Sequence, residues 1–336
     1  MAEPLRIATW HVELSRRGPG VLLRDILRDD PQVAAVTTLL AEVAPDILLL
    51  TDIDHDLGLA ALGALRDRIG QDGPAYPHLF APQQNSGRDS GLDLDGDGRL
   101  AGPEDGLGFG FFTGEGGIAL LSRHPVETEA VRDFTDLRWR DLPGNLMDGA
   151  EVPETAQAEM RLSSTAHWVV PLRIGDRRLT LLAFSATPPV FDGPEDRNGR
   201  RNHDEVAFWQ ALLDGAFGPP PEGPLVLLGN ANLDPRDGQG RHAAIRAVLA
   251  DPRFQDPRPA DPAAAQEANP DQTGDPSLDT ANWDDPDPGN LRVDYVLPSA
   301  GLQVIGSGTR WPAPGNLAAG ASRHALVWVD LDWPPE

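Results

Sequence analysis

Apolar residues recur along the chain in runs of strand length, separated by polar segments. The runs are LRIATWHVEL at the start, DILLLTDID near 50, GGIALLSR near 120, HWVVPLRIG near 170, LTLLAFSA near 182, PLVLLGNA near 227, LRVDYVLP near 295 and HALVWVDL near 327. Several of them stay apolar at consecutive positions, which is typical of strands that are covered on both faces. The pattern therefore predicts buried strands distributed over the whole chain.

Between these runs, three segments have the apolar spacing of a helix: 31–44, 57–69 and 203–213. The third follows Asn202 and has Glu205 three residues later, which resembles a capping box. Because strands and helices are mixed along the whole length, we predict an α/β fold.

Two segments, 84–106 and 251–290, are rich in Gly, Pro, Asp and Asn, which predicts long surface loops. Neither resembles a linker between domains, and no internal repeat is visible. We therefore predict one domain over residues 1–336, with both segments as insertions.

The composition narrows the classes of function. The 336 residues carry a formal net charge of -24, with 52 acidic and 28 basic side chains. Such a charge repels nucleic acid and anionic membranes, so nucleic acid is the less favoured partner. There is no cysteine, which excludes disulfides, thiolate metal sites and cysteine nucleophiles. No signal peptide or membrane span is visible, so we expect a cytoplasmic protein, or a periplasmic or secreted one if a leader has been removed.

The segment DLDGDGRLAGPE matches the twelve-residue calcium loop at each of its defined positions. The matching residues are Asp93, Asp95, Asp97, Gly98 and Glu104. In this loop alternate side chains converge on one hard cation, and the final glutamate closes the coordination sphere with both oxygens. We expect a structural Ca²⁺ here, and the alternative is a solvated acidic turn.

Polar residues stand at the ends of the strand-like runs. They are His11, Asp52, Ser185, Asn230, Asn232, Asp294 and His324. A single polar residue at such a position is usually a turn or a cap. Seven of them would converge if the strands end at one edge of a sheet, where α/β enzymes place their sites.

The order of these motifs resembles the endonuclease/exonuclease/phosphatase superfamily over nearly the whole chain. RIATWHVEL resembles its opening strand, PDILLLTDID its second strand, GGIALLSRHPV its central strand and turn, LLGNANLDP its Gly-Asp-x-Asn signature, RVDYVLPS the strand with a buried aspartate, and SRHALVWVDL its final Ser-Asp-His strand. The segment TPPVFDGPEDRNGRRNHDE resembles a bacterial branch of the superfamily. The resemblance implies a four-layer fold: two mixed β-sheets packed face to face, with helices outside.

The motifs depart from the superfamily pattern at five positions. His11 replaces an asparagine, Asp52 a glutamate, Ser185 a histidine, Asn230 the aspartate of the signature, and Arg323 the aspartate before the final histidine. Asn232, Asp294 and His324 are unchanged. The resemblance therefore implies a metal-dependent phosphoester hydrolase with a rewritten catalytic centre.

In the roles that the resemblance implies, His324 takes a proton from the attacking water and Asp294 orients it, with Asn230 and Asn232 beside them. His11 and Asp52 hold the metal. Asp52 is one methylene short for Mg²⁺, and histidine is a poor Mg²⁺ ligand, so we expect Mg²⁺ or Mn²⁺ to bind weakly. Arg323 adds a positive charge at the cation site.

Three interpretations remain open. In the first, His324 and Asp294 act while Arg323 clamps the phosphate, with Ser185 on the same rim. In the second, the protein is inactive and binds a phosphorylated ligand or a protein partner. In the third, the pair is only structural.

A cluster of arginines precedes the third predicted helix and includes Arg197 and Arg201. A helix amino terminus favours anions, so these side chains are candidates for binding phosphate. The alternative is that they form surface ion pairs with neighbouring acidic residues. The favoured ligand is a small phosphoester.

Overall fold

Two β-sheets form the centre of the molecule. The computed structural model describes residues 4–262, 264–284, 288–312 and 320–333. The first sheet has the strand order β12-β13-β1-β2-β4-β3 and the second β11-β8-β7-β6-β5. The strands are β1 Leu5–Leu14, β2 Ile47–Ile53, β3 His78–Phe80, β4 Gly117–Ser122, β5 Arg132–Asp133, β6 His167–Ile174, β7 Arg177–Ser185, β8 Leu225–Asn230, β9 Ala281–Asn282, β10 Asn290–Leu291, β11 Asp294–Pro298, β12 Val304–Arg310 and β13 Leu326–Leu331.

Both sheets are mixed. β1 pairs with β2, and β7 with β8, in parallel. The other pairs within the two sheets are antiparallel. β9 and β10 form a separate two-stranded ribbon. The predicted pair of mixed sheets is confirmed.

The alternation of side chains along each strand explains the layers. On β2, Ile47 and Leu49 pack in the core between the sheets, whereas Leu48 and Leu50 face outward against helices. On β8, Val226 and Leu228 take the inner core and Leu227 the outer one. Both faces of these strands are buried, which is why their sequences are apolar without interruption.

Helices cover the outer faces of the sheets. Within the described ranges the α-helices are α1 Val21–Leu27, α2 Pro31–Val43, α3 Ala60–Ile69, α4 Glu154–Gln157, α5 Arg197–Leu213 and α6 Ala243–Leu249. The first three pack on the first sheet, and α5 and α6 pack on the second. These helices complete the four predicted layers. No helix in these ranges has the length and apolar composition that crossing a membrane would require.

The predicted start of the third helix is wrong. α5 begins at Arg197, six residues before the predicted start, and its cap residue is Asp196. Asn202 lies inside the helix, where its side-chain amide donates to the carbonyl oxygens of Thr187 and Ala231. Glu205 is buried and accepts hydrogen bonds from Ser164 and Thr187. Both side chains therefore tie α5 to the loops beneath it, and neither caps the helix.

The two predicted loops are not equally irregular. Residues 84–106 have only short isolated bridges and the 3₁₀ turn Pro103–Asp105. Residues 251–290 include two further 3₁₀ turns, Ala264–Glu267 and Pro276–Leu278, and the ribbon strand β9. This second segment contributes side chains to the candidate site.

Candidate active site

Asp294 and His324 form a buried pair where two strands begin. Asp294 is the first residue of β11, and His324 lies two residues before β13. Nδ1 of His324 is 2.7 Å from Oδ2 of Asp294. The side-chain amide of Asn230 donates to the other carboxylate oxygen at 2.9 Å. The structure therefore brings together three of the residues that the sequence singled out.

Thr280 and Trp283 complete the surroundings of this pair. The Thr280 hydroxyl donates to Oδ2 of Asp294 at 3.0 Å and accepts from the backbone N–H groups of Val293 and Asp294. The Trp283 ring meets the His324 ring edge-on at 5.1 Å. Both residues lie in the segment 251–290, whose composition predicts a loop, so the strand pattern gives no signal for them.

His11 covers the His324 ring. The two ring centroids are 4.2 Å apart, and His324 as a residue is only 1% exposed. Nδ1 of His11 is 3.1 Å from the Thr51 hydroxyl, and its Nε2 is 3.7 Å from Oδ2 of Asp52. Burial, together with the neighbouring His324, lowers the pKa of His11 below its ordinary value. His11 is therefore a neutral imidazole at neutral pH.

Bulges turn two carboxylates towards the same cleft. The pairing register of β1 with β2 shifts between His11 and Leu14, and that of β2 with β4 shifts between Thr51 and Ile53. Glu13 and Asp52 lie in these irregular stretches with left-handed φ angles of 52° and 55°. A bulge redirects side chains that regular alternation would place elsewhere. Glu13 joins the site in this way, although strand periodicity gave no signal for it.

Glu13 holds Arg323 in place. Nε of Arg323 donates to Oε1 of Glu13 at 2.7 Å, and the backbone N–H of Arg323 donates to Oε2, also at 2.7 Å. Burial works to raise the pKa of Glu13, but the hydrogen bonds and charge of Arg323 outweigh it and hold that pKa below its ordinary value. The Arg323 guanidinium is therefore already paired with a carboxylate of the protein.

A cleft of about 840 Å³ lies over this group. The predicted residues that line it are His11, Asp52, Ser185, Asn232, Arg323 and His324. Asn230 and Asp294 are buried behind it. The described lining includes four carboxylates, from Glu13, Asp52, Glu115 and Asp284, and one guanidinium, from Arg323. The cleft is therefore acidic.

The two asparagines of the Asn-Ala-Asn motif have different surroundings. Asn232 lines the cleft with a left-handed φ of 48° and donates to the carbonyl oxygen of Ala186. Asn230 is fully buried, and its Oδ1 has no hydrogen-bond partner among the described residues. Such an orphaned acceptor is costly in a protein interior. It is also the oxygen that a bound donor or cation would use.

The two arginines proposed for phosphate binding lie elsewhere. Arg201 is buried and donates to the carbonyl oxygens of Leu162, Leu107 and Ser163. Arg197 donates to the carbonyl oxygens of Leu94 and Ala150. Neither is among the described residues that line the cleft. Their donors are used within the fold, so we assign them a structural role.

The acidic loop has a closer grouping of ligand atoms than the cleft. In the described part of the chain, Asp93, Asp95 and Asp97 form the one group of three or more acidic or histidine side chains whose ligand atoms lie within 4.8 Å of one another. Glu104, the predicted closing ligand, is outside this group. The buried Asp105 next to it instead accepts the backbone N–H groups of Leu94 and Gly102.

Several solved structures share the fold. A protein of the endonuclease/exonuclease/phosphatase family from Leptotrichia buccalis is 14% identical, with a TM-score of 0.56 over 98% of this chain and 100% of the other. An endonuclease/exonuclease/phosphatase from Beutenbergia cavernae is 16% identical, with a TM-score of 0.58 over 98% of this chain and 72% of the other. Sphingomyelinase C from Streptomyces griseocarneus is 18% identical, with a TM-score of 0.52 over 98% and 100%.

No curated protein matches the chain in sequence. Residues 13–324 match the model of the Endonuclease/Exonuclease/phosphatase family. That range includes Glu13 and ends at His324, so it spans the candidate site except for His11. The chain belongs to the endonuclease/exonuclease/phosphatase family.

Proposed function

We propose that the protein is a hydrolase of small phosphoesters in which His324 is the general base. The observation that carries the proposal is the hydrogen bond of 2.7 Å between His324 and the buried Asp294. A carboxylate that accepts from Nδ1–H leaves Nε2 of the imidazole able to take a proton. Both residues are also those that the superfamily pattern expects.

The reaction is an in-line displacement at phosphorus. His324 takes a proton from water as the water oxygen forms a bond to phosphorus, and the bond from phosphorus to the ester oxygen breaks. Asp294 stabilises the imidazolium that forms. The departing oxygen takes a proton from solvent, so the products are a phosphate with one ester group fewer and an alcohol.

The residues at the rim fit the family's divalent cation poorly. His11 and Asp52 are the available donors, because Glu13 is paired with Arg323. A neutral imidazole suits Mn²⁺ better than Mg²⁺, which prefers oxygen ligands at short, rigid distances. When bound, such an ion would neutralise charge on the phosphoryl oxygens. We expect weak binding of both ions at this rim.

The test is a screen of phosphomonoesters and phosphodiesters with Mg²⁺, Mn²⁺ and Ca²⁺. We expect hydrolysis of at least one substrate, and a His324→Ala variant with kcat/KM lower by about 100-fold or more. Ser90→Ala, which changes the acidic-loop segment, is the control and should not change the rate. Equal rates for His324→Ala and the wild-type protein would refute the assignment of the base.

A second candidate function is supported by the burial of His324 beneath His11 and Trp283. In this alternative the protein binds a phosphorylated ligand or a protein partner without hydrolysing anything. The pairing of Arg323 with Glu13 also favours it, because a guanidinium held by a carboxylate does not replace the metal. Binding of a phosphoester without release of product under every metal condition would favour this function over the first.

We also propose that the acidic loop binds Ca²⁺ as a structural ion. The proposal is supported by the match to the calcium-loop pattern and by the grouping of Asp93, Asp95 and Asp97. A ligand that binds only the native state raises its stability by mass action. Calcium at millimolar concentration should raise the Tm, and Asp95→Ala should abolish the increase. A Tm that is independent of calcium in the wild-type protein would leave a solvated acidic turn.

A further inference from the structure

We propose that the mouth of the cleft binds the apolar ester group of a singly charged phosphodiester, with Phe109 and Phe191 as the contacting side chains. The inference rests on the proposed hydrolase function and names its substrate class. Both phenylalanines line the same cleft as His324. They are nevertheless 59% and 89% exposed, respectively. A ligand in the cleft would remove both rings from water.

The backbone presents Phe109 to the cleft rigidly. Its two neighbours are Gly108 and Gly110. A Cβ on Gly108 would lie 1.7 Å from the carbonyl oxygen of Ser164, and one on Gly110 would lie 2.8 Å from the backbone of Gly87. The segment therefore packs against other backbone on both sides of Phe109, where side chains do not fit. Phe109 also contacts the Phe111 ring edge-on at 5.7 Å.

Phe191 is held at the cleft in a strained conformation. Its φ angle is 69°, in the left-handed region that aromatic residues rarely adopt. Asn198 on α5 fixes the residues on both sides: its side chain donates to the carbonyl oxygen of Val190, and its backbone N–H donates to the Asp192 carboxylate. Strain and exposure together make this position unfavourable in the free protein, and a ligand that covers the ring would offset part of that cost.

Other apolar side chains line the cleft together with Phe109 and Phe191. Pro188, Pro189 and Val190 precede Phe191 and also line the cleft. Trp283 lines the cleft as well and contacts the His324 ring. Other exposed apolar side chains, such as Leu27, are outside the cleft lining. The combination of exposure and cleft position thus distinguishes Phe109 and Phe191.

The charges in the cleft select for a low ligand charge. Four carboxylates line it against the guanidinium of Arg323, which is already paired with Glu13. Like charges disfavour a dianionic phosphomonoester more than a monoanionic diester, and a polyanion most of all. A diester with an apolar group therefore fits both properties of the cleft.

The experiment measures the binding of simple phosphate esters to the wild-type protein in EDTA by titration calorimetry. Diphenyl phosphate should bind about tenfold more tightly than dimethyl phosphate, because it buries more apolar surface. Phenyl phosphate, a dianion above neutral pH, should bind more weakly than diphenyl phosphate. Dibutyl phosphate distinguishes an alkyl group from an aryl group, since both are apolar and only one is planar.

Phe109→Ser and Phe191→Ser should each weaken the binding of diphenyl phosphate several-fold and leave the binding of dimethyl phosphate unchanged. Leu27→Ser is the matched control, because Leu27 is 71% exposed outside the cleft. It should not change the affinity for either ester. Equal affinities for the diphenyl and dimethyl esters would overturn the inference. A second result would also overturn it: the protein binds phosphatidylcholine vesicles, both Phe variants abolish that binding, and the esters bind equally well. The two rings would then contact a membrane.

The outcome is separable from the test of hydrolysis. A preference for diphenyl phosphate without product release in any metal would support the apolar subsite and refute the hydrolase. Product release from simple esters with no dependence on Phe109 or Phe191 would support the hydrolase and refute the subsite.

Discussion

The buried half of the site and its rim satisfy their polar groups differently. In the buried half, the two oxygens of Asp294 accept hydrogen bonds from His324, Asn230 and Thr280. At the rim, Arg323 is 62% exposed in its side chain and pairs with Glu13. Removing one member of a buried hydrogen-bond network leaves its partners without hydrogen bonds in a low dielectric. A rim group that loses its partner can instead form hydrogen bonds with water.

The departures that the resemblance to the superfamily implies lie mostly on the cleft side. Asp294 and His324 are unchanged, whereas His11, Asp52 and Arg323 on the cleft side differ from the expected residues. Asn230 is a departure within the buried half, and it supplies a donor to Asp294 where an aspartate would supply a second carboxylate.

The largest expected effect comes from Asp294→Ala. The change leaves the donors of His324, Asn230 and Thr280 without their acceptor in the interior. We expect a loss of about 3 kcal/mol or more in the free energy of unfolding, measured by urea denaturation. Asp284→Ala, at an exposed carboxylate on the cleft, is the control and should change it by less than about 0.5 kcal/mol. Similar losses in both variants would show that the two regions do not differ.

Asn230→Asp should have the next largest effect. It converts the donor 2.9 Å from Asp294 into a second carboxylate. We expect a loss of about 2 kcal/mol at pH 8, which should recover as the pH falls and the two carboxylates share a proton. Urea denaturation at pH 8 and pH 5 measures it. An unchanged free energy of unfolding at pH 8 would mean that the interior tolerates both charges. A cation bound between the two carboxylates is one way in which this could happen.

Arg323→Ala should act on binding more than on stability. Because the Arg323–Glu13 pair is partly exposed, its loss should cost less than about 1 kcal/mol. Glu13 is then released beside Asp52 and His11, so Mn²⁺ should bind about tenfold more tightly. Titration calorimetry with Mn²⁺ measures this, and Arg323→Ala combined with Glu13→Gln is the control that should remove the gain. Wild-type affinity in the single variant would show that Arg323 does not limit the cation site.

The smallest expected effect is a pH dependence due to His11. The pKa of His11 is lowered in the folded state, so below its ordinary value of 6.5 the unfolded chain binds a proton that the folded chain does not. The stability that His11 contributes is therefore lost as the pH falls through this region. His11→Asn should flatten the curve of stability against pH near 6.5. His167, whose pKa burial lowers to about 4, is common to both proteins and does not affect their difference.

The apolar runs predicted the α/β class, whereas the four layers and the pairing of Asp294 with His324 were implied by the resemblance to the superfamily. Apolar runs predicted the strands, and five of the seven polar residues at their ends line the cleft, with Asn230 and Asp294 buried behind it. The resemblance also predicts that His11→Asn, Asp52→Glu, Ser185→His, Asn230→Asp and Arg323→Asp together raise Mg²⁺ affinity and phosphodiesterase activity above those of the wild-type protein. The structure adds that Arg323→Asp would place a carboxylate against Glu13, so such a variant also needs Glu13 changed.

Other features depend on contacts that periodicity does not reveal. Glu13 enters the site through a bulge and an ion pair that spans 310 residues of sequence. Arg201 looks like a surface arginine in sequence but is buried, and its donors are used by backbone carbonyls. Thr280 reaches Asp294 from a segment whose composition is that of a loop.

The position of β13 has a consequence for synthesis on the ribosome. β1 has β13 on one side and β2 on the other, and Trp10 donates to the carbonyl oxygen of His324. β13 leaves the ribosome more than 300 residues after β1, so one edge of β1 remains unpaired while those residues are synthesised. Such an edge can pair with other chains, and contacts so distant in sequence close slowly. The cleft therefore forms only after β13 has left the ribosome, and the nascent protein has a long period in which to aggregate.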